Sequence, residues 1–170
     1  LDRNDTDHYC PDRQKALSLA RQVDDQEVLV SALTQTAFCA NNIKNYAQGL
    51  SLLTEALDIN EQDPISANHL ALVYNATGNI YRVNGLHKQA HEYIKKALEA
   101  WQSVNDIDGV FNMLHTLSSE AIALGKVDEA QRYVNDMFNM ARSADAGVDY
   151  LFFSFFNQGY VSKAKKEYET

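Results

Sequence analysis

Three sets of side chains in this 170-residue sequence have types and spacings that could do chemistry. Asn75, Asn79 and Arg82 follow one another at four and three residues, so on a helix they project along one stripe. An asparagine amide both donates and accepts, and a ladder of them can pair with a peptide backbone whatever its side chains. His87 and His91 stand four apart and could share a metal ion, given a third ligand. Glu92 follows His91, but Lys95 occupies the place where a zinc-protease helix would carry its second histidine. The pair is therefore expected on the outer face of a helix, with no metal. Cys10 and Cys39 are too few for a disulfide scaffold and lack the paired spacing of a zinc site. Glycine-rich phosphate loop, nucleophile elbow and ligand cluster are all missing from the sequence, so we expect no catalytic residues and no cofactor.

Composition narrows the partners. The formal charge of −8 argues against nucleic acid and anionic lipid, which need a basic stripe to displace counterions. Lys163, Lys165 and Lys166 form the one basic cluster, at the C-terminal end of a helical pattern where cations are expected anyway. The apolar run at 150–156 is far shorter than the roughly 20 residues that cross a bilayer, so direct membrane insertion by this segment is not expected. A hydrophobic fraction of 45%, with 7 Gly and 2 Pro, suits a packed helical domain. The start at Leu1 and the stop at Thr170 inside an amphipathic pattern suggest a piece of a longer protein, truncated at its C-terminal end.

The elements that would hold these side chains are helices. Residues 1–10 are polar and aperiodic and read as a loose lead-in; helical order should begin near Pro11, a residue suited to a first helical position. Ala16, Leu17, Leu19 and Ala20 form one apolar face, and Asp24 and Asp25 interrupt it. Leu29, Leu33, Ala37 and Ala40 form the next, and apolar residues keep recurring at three and four through Leu53, Leu57, Val110, Leu114, Leu117 and Ala121. Ala16, Ala56, Ala97 and Met137 recur at intervals of 40, 41 and 40 residues, each followed by a large apolar residue. The motif from Gly85 to Ala90 returns from Gly125 to Ala130 and, 34 residues later, from Gly159 to Ala164.

Within 74–98, Gly78, Tyr81, Gly85, Ala90 and Ala97 stand three, four, five and seven residues apart, and this stretch resembles a tetratricopeptide repeat (TPR). Small residues let two antiparallel helices approach, Tyr81 fills the gap toward the next pair, and Gly85 supplies the positive φ of the turn. The resemblance implies an all-α, right-handed superhelical solenoid of antiparallel helix pairs. About nine helices are expected over 11–170, with an incomplete pair at each end. The early turn at 41–45 departs from the pattern in lacking glycine.

In that family the first helix of each pair lines a concave, peptide-binding groove. The matching positions here are Thr34, Phe38, Asn41 and Asn42, then Leu72, Asn75, Asn79 and Arg82, then Asn112, His115, Ser119 and Ile122, then Phe153 and Phe156. The implied function is non-catalytic protein or peptide binding. Members that clamp a terminal carboxylate use lysines that this sequence lacks. Asn-rich, acidic repeats of about 40 residues also resemble the sensory regions of bacterial membrane signalling proteins, which lie outside the inner membrane. The alternative is a structural scaffold or dimerisation domain, with a homodimer through the aromatic helix around Phe153 and Phe156. The plainer account of the aromatic run is that Phe152 and Phe155 pack inward while the others meet a following repeat; the sharper one is a hydrophobic contact for a partner or a second subunit.

Cys10 and Cys39 lie at equal separations from a turn centred between Asp24 and Asp25, which sets them level on adjacent antiparallel chains. A disulfide and two free thiols both remain open, because packed helix axes lie about 8–10 Å apart and a bond needs α-carbons within about 7 Å.

Overall fold

The computed structural model describes residues 6–143 and 148–168 of the chain. The described residues form eight helices and no strand: α1 (Thr6–Ala20), α2 (Gln26–Asn42), α3 (Tyr46–Gln62), α4 (Ala67–Val83), α5 (His87–Ser103), α6 (Ile107–Ala123), α7 (Val127–Ser143) and α8 (Val148–Tyr168). The even-numbered helices from α2 begin at 26, 67, 107 and 148, and the odd-numbered ones from α3 at 46, 87 and 127. One period of 40 or 41 residues therefore governs the whole chain.

Local chemistry explains the boundaries. Asp25, Asn45 and Asp106 cap α2, α3 and α6, accepting from the backbone N–H of Val28, Gln48 and Gly109 respectively. The turns after α4 and α6 are closed by Gly85 and Gly125, both at φ 72. At the matching place after α2 stands Lys44, at φ 61, so the turn keeps its left-handed geometry without glycine. In all three turns the next residue's N–H reaches back to an inner carbonyl, Asn45 to Ala40, Leu86 to Tyr81 and Lys126 to Ala121. Lys44→Gly should accordingly raise stability by about 0.5–1 kcal/mol, read as a higher urea midpoint.

The structure departs from the sequence expectations in three places. Helix α1 starts at Thr6, inside the expected lead-in, and carries Pro11 in its interior rather than at its first position. The Gly159–Ala164 motif forms no turn: α8 runs straight through it, and Gly159 is absent from the glycines with positive φ. Its 34-residue spacing thus belongs to sequence alone, while the structural repeat stays at 40 or 41. On α8 the inward residues are Ser154, Asn157, Val161 and Ala164, whereas Phe152 and Phe155 are 63% and 66% exposed.

Packing runs between successive helices, with α2 also touching α4 and α6 touching α8. Core clusters follow one another along the chain: Leu33, Leu53 and Ile80 in the first, Ile94, Leu117 and Met137 in the second, Val134 and Val161 in the third. Gly78 is needed where α4 meets α5, since a Cβ there would lie 2.6 Å from Ile94 Cγ1.

Candidate functional site

Helices α4 and α6 lie on either side of a groove of about 620 Å³. Leu72, Asn75, Asn79 and Arg82 of α4 form one wall; Gly109, Asn112, Met113, His115, Thr116 and Ser119 of α6 form the other. Trp101, at the end of α5, and Asp106, the α6 cap, complete it. A Cβ on Gly109 would lie 2.5 Å from Trp101 Cδ2, so this glycine is what allows the indole to lie flat against α6. The smaller Asn60 and Ala20 occupy the register of Trp101 one and two repeats earlier.

Polar groups in the groove are already partly committed. Arg82 donates from Nε and from one terminal nitrogen to the Asn79 oxygen, at 3.1 and 2.9 Å. This leaves the Asn79 amino group and the remaining guanidinium donors for a ligand. His115 is held from α8, because the Asn157 amide nitrogen bonds its Nδ1 at 2.7 Å. Asn157 is buried and also accepts from the Ser118 hydroxyl at 2.8 Å and donates to the Phe153 carbonyl at 2.8 Å. Burial holds His115 below its ordinary value and the Arg82 charge adds to this. The imidazole is thus neutral at pH 7, a donor at Nε2 beside the Phe153 ring.

No protein-family model matches the chain, and no curated protein is similar to it in sequence. Among solved structures it is similar to BtubC (BKLC) from P. vanneervenii, at a TM-score of 0.80 and 19% identity, over 92% of this chain and 65% of that one. The chain therefore spans slightly less than two thirds of BtubC. It is also similar to the putative kinesin light chain with nearly identical TPR-like repeats from Podosopora anserina, at a TM-score of 0.67 and 15% identity, over 96% of this chain and 88% of that one. A single-residue variant of the latter matches at 0.67 and 16%, with the same coverage. The fold is a TPR-like helical repeat. At such identities the likeness is one of fold, and the residues of the groove must speak for themselves.

In this TPR-like frame the structure brings Asn75, Asn79, Arg82, Asn112 and His115 together between α4 and α6. Phe38, Asn41 and Asn42 lie on α2, outside that groove: Phe38 packs against the first core cluster, and the Asn41 side-chain oxygen is buried without a partner. Thr34 is buried, its hydroxyl turned to the Val30 carbonyl, so it is a core position. Phe153 and Phe156 are exposed on α8, with Phe153 beside His115 and Phe156 edge-on to Tyr160. Trp101 and Asn157 escaped the sequence reading. The signal for Asn157 was available: it is an amide one turn after Phe153 in an otherwise aromatic run.

The histidine pair also differs from expectation. His91 is buried against the neighbouring repeat, and His87, still partly exposed, reaches it as well. His87 Nδ1 meets the buried carboxylate of Glu120 at 2.8 Å, and His91, itself buried, meets Glu129 at 3.3 Å. The spacing that suggested a surface pair could not show α6 and α7 closing over α5. Burial lowers the His91 value although Glu129 pulls it up. Burial also works to raise Glu129, but the Tyr133 hydroxyl and Lys126 together bring it below the ordinary carboxylate range. Among the described residues no group of three or more His, Cys, Asp or Glu is placed to hold a metal.

A pH dependence follows. His91 and His115 stay neutral in the fold but take a proton in the unfolded chain below their ordinary 6.5. The unfolded state then binds more protons, so stability falls as pH drops through and below that value. Glu129 adds its loss only further down, beginning at its ordinary 4.5 and complete once pH has fallen through its lowered value in the fold. Urea midpoints should decline between neutral pH and about pH 5.5, and His91→Gln should flatten the decline.

Proposed function

We propose that this chain is a non-catalytic protein- or peptide-binding module that holds an extended segment in the groove between α4 and α6. The single observation that carries this reading is the convergence of Asn75, Asn79, Arg82, Asn112 and His115 on one groove. Amides can pair with backbone N–H and C=O groups alike and the His115 Nε2–H with a C=O, so the chain of the ligand is recognised before its side chains. Trp101 on one side, and Phe153 and Phe156 on α8, offer apolar contact to alternate side chains of that segment. One helix of the described residues is long enough to cross a bilayer, yet none is both long and apolar enough.

The test is a library of displayed random peptides selected on the chain. Selected peptides should bind the Asn75→Ala/Asn79→Ala variant about tenfold more weakly, given roughly 0.5–1.5 kcal/mol per hydrogen bond, with the helical circular dichroism unchanged. Equal affinity for the variant would remove the groove from the reading.

We further propose that the module is the ligand-sensing part of a larger, exported bacterial signalling protein. The Cys10–Cys39 pairing supports an oxidising compartment, since cytosolic thiols stay reduced. Protein purified without reductant, denatured and alkylated, should resist modification at both cysteines. Full alkylation would withdraw the support for export.

A further inference from the structure

The face of α8 turned away from α6 has the residues of a covered helix and almost no cover. Because α2, α4, α6 and α8 share one register, each α8 residue has three counterparts. Phe152 corresponds to Val30, Ala71 and Phe111, and Phe155 to Leu33, Tyr74 and Leu114. Gly159 corresponds to Ala37, Gly78 and Ser118. All of these counterparts are buried except Tyr74, which is half-buried. Phe155 meets the Phe138 ring of α7 edge-on, yet the greater part of its surface stays open, as does that of Phe152. In the repeat of α4 the covering element is α5, which drives Ile94 against Gly78; a Cβ on Gly159 would meet nothing within 4 Å. Phe152, Phe155 and Gly159 thus form a ridge and socket left open, with Phe152 edge-on to Phe153 and stacked on Phe156 at its border.

We propose that a second copy of this chain covers this face, with the two α8 helices packed antiparallel about a two-fold axis between Phe155 and Phe156. That axis sets Phe152 of each copy over Gly159 of the other, a large side chain in the one socket without a Cβ, and places the phenylalanines of the two copies against one another at the centre. Such self-complementarity is what an isologous contact requires. The charges agree with the same register. Asp149 lies in the first turn of α8 and Lys163 near its end, so the antiparallel pairing brings opposite signs together twice. A parallel pairing would set like charges side by side and Phe152 against Phe152. At 21 residues, α8 offers about 30 Å of helix for the contact.

Sedimentation equilibrium of the 170-residue chain, from micromolar to near-millimolar concentration, tests the proposal. The expected result is a reversible dimer of twice 19.1 kDa. Phe152→Glu with Phe155→Glu, both at exposed positions, should leave the circular dichroism intact and weaken the dimer by about thirtyfold or more. Gly159→Leu separates a built socket from general stickiness: added apolar surface would strengthen non-specific association, whereas a filled socket must weaken this dimer. A monomer at every concentration overturns the proposal, as does a dimer indifferent to the double glutamate variant or strengthened by Gly159→Leu. A monomer that instead captures a synthetic peptide of the α5 sequence assigns the face to a foreign helix and likewise overturns it. These readings are taken without any groove peptide and leave Asn75, Asn79 and Arg82 untouched, so failure of the dimer and failure of groove binding remain distinguishable.

Discussion

Reducing the Cys10–Cys39 bond should unravel α1 while α2 to α8 stay folded. The two α-carbons are 5.5 Å apart, and the bond closes a loop with a sequence separation of 29. By the loop-entropy relation, a loop of that length restrains the unfolded chain by about 3–4 kcal/mol. Little else holds α1. Pro11 removes one hydrogen bond from its interior, and among the described side chains only Leu17 and Ala20 are fully buried. The Thr36 hydroxyl, shared between the Ala32 and Arg13 carbonyls, adds one link from α2, and Arg21 pairs with Glu55 at the surface. In a solenoid each unit leans on its neighbours, so the loss should stay local rather than spread. Reductant, or Cys39→Ser, should therefore remove the helical signal of about one helix and collapse hydrogen-exchange protection in α1. The later, main melting transition should move little. Unchanged protection of α1 after reduction would show that its apolar contacts suffice.

Asn157→Ala should free α8 from α6. The Asn157 amide serves three partners on two helices, and its loss leaves the half-buried His115 Nδ1 without its partner. Ser118 is spared, because its hydroxyl can still donate to the His115 carbonyl. An unsatisfied buried polar group costs about 1–3 kcal/mol, which is comparable with what burying Val161 contributes to docking. The His115 titration separates two outcomes. If α8 lifts, water returns and the imidazole rises toward its ordinary value, because burial is the largest cause of its depression. If α8 stays, burial persists and the value stays depressed. The first is expected; an unmoved value with unchanged stability would mean that apolar packing alone secures α8. Tyr150, whose hydroxyl donates to Asp108 and is thereby pushed up to about 12, is a second tie that the same spectra can follow.

The repeat itself was legible because small residues cannot be moved without cost. Gly78 sits where Ile94 crosses, Ala90 and Ala97 are buried, and Gly85 and Gly125 take φ 72, so packing and turn geometry leave their period in the residue string. The stripe of Asn75, Asn79 and Arg82 was legible for the same reason, since spacing of three and four sets a face on any helix. Turn chemistry was less so. Gly159 imitates Gly85 in sequence, but glycine permits a left-handed turn without compelling one, and α8 continues. Lys44 makes the converse point, taking the left-handed place because the backbone bonds of Lys44 to Asn41 and Asn45 to Ala40 hold it there.

Periodicity alone therefore determined the helical class, the pairing of neighbours and the stripe along α4, all of which follow from contacts within a turn or between adjacent helices. Only the tertiary structure decided what lies across from each stripe: that α6 and not α2 completes the groove, that Trp101 closes it, that Asn157 fixes His115, and that His87 and His91 meet Glu120 and Glu129. His87 and Glu120 stand 33 residues apart along the chain, His115 and Asn157 42, and their meeting depends on how far each helix pair rotates on the last. That rotation is the sum of many side-chain volumes at the interfaces, a quantity no local spacing contains.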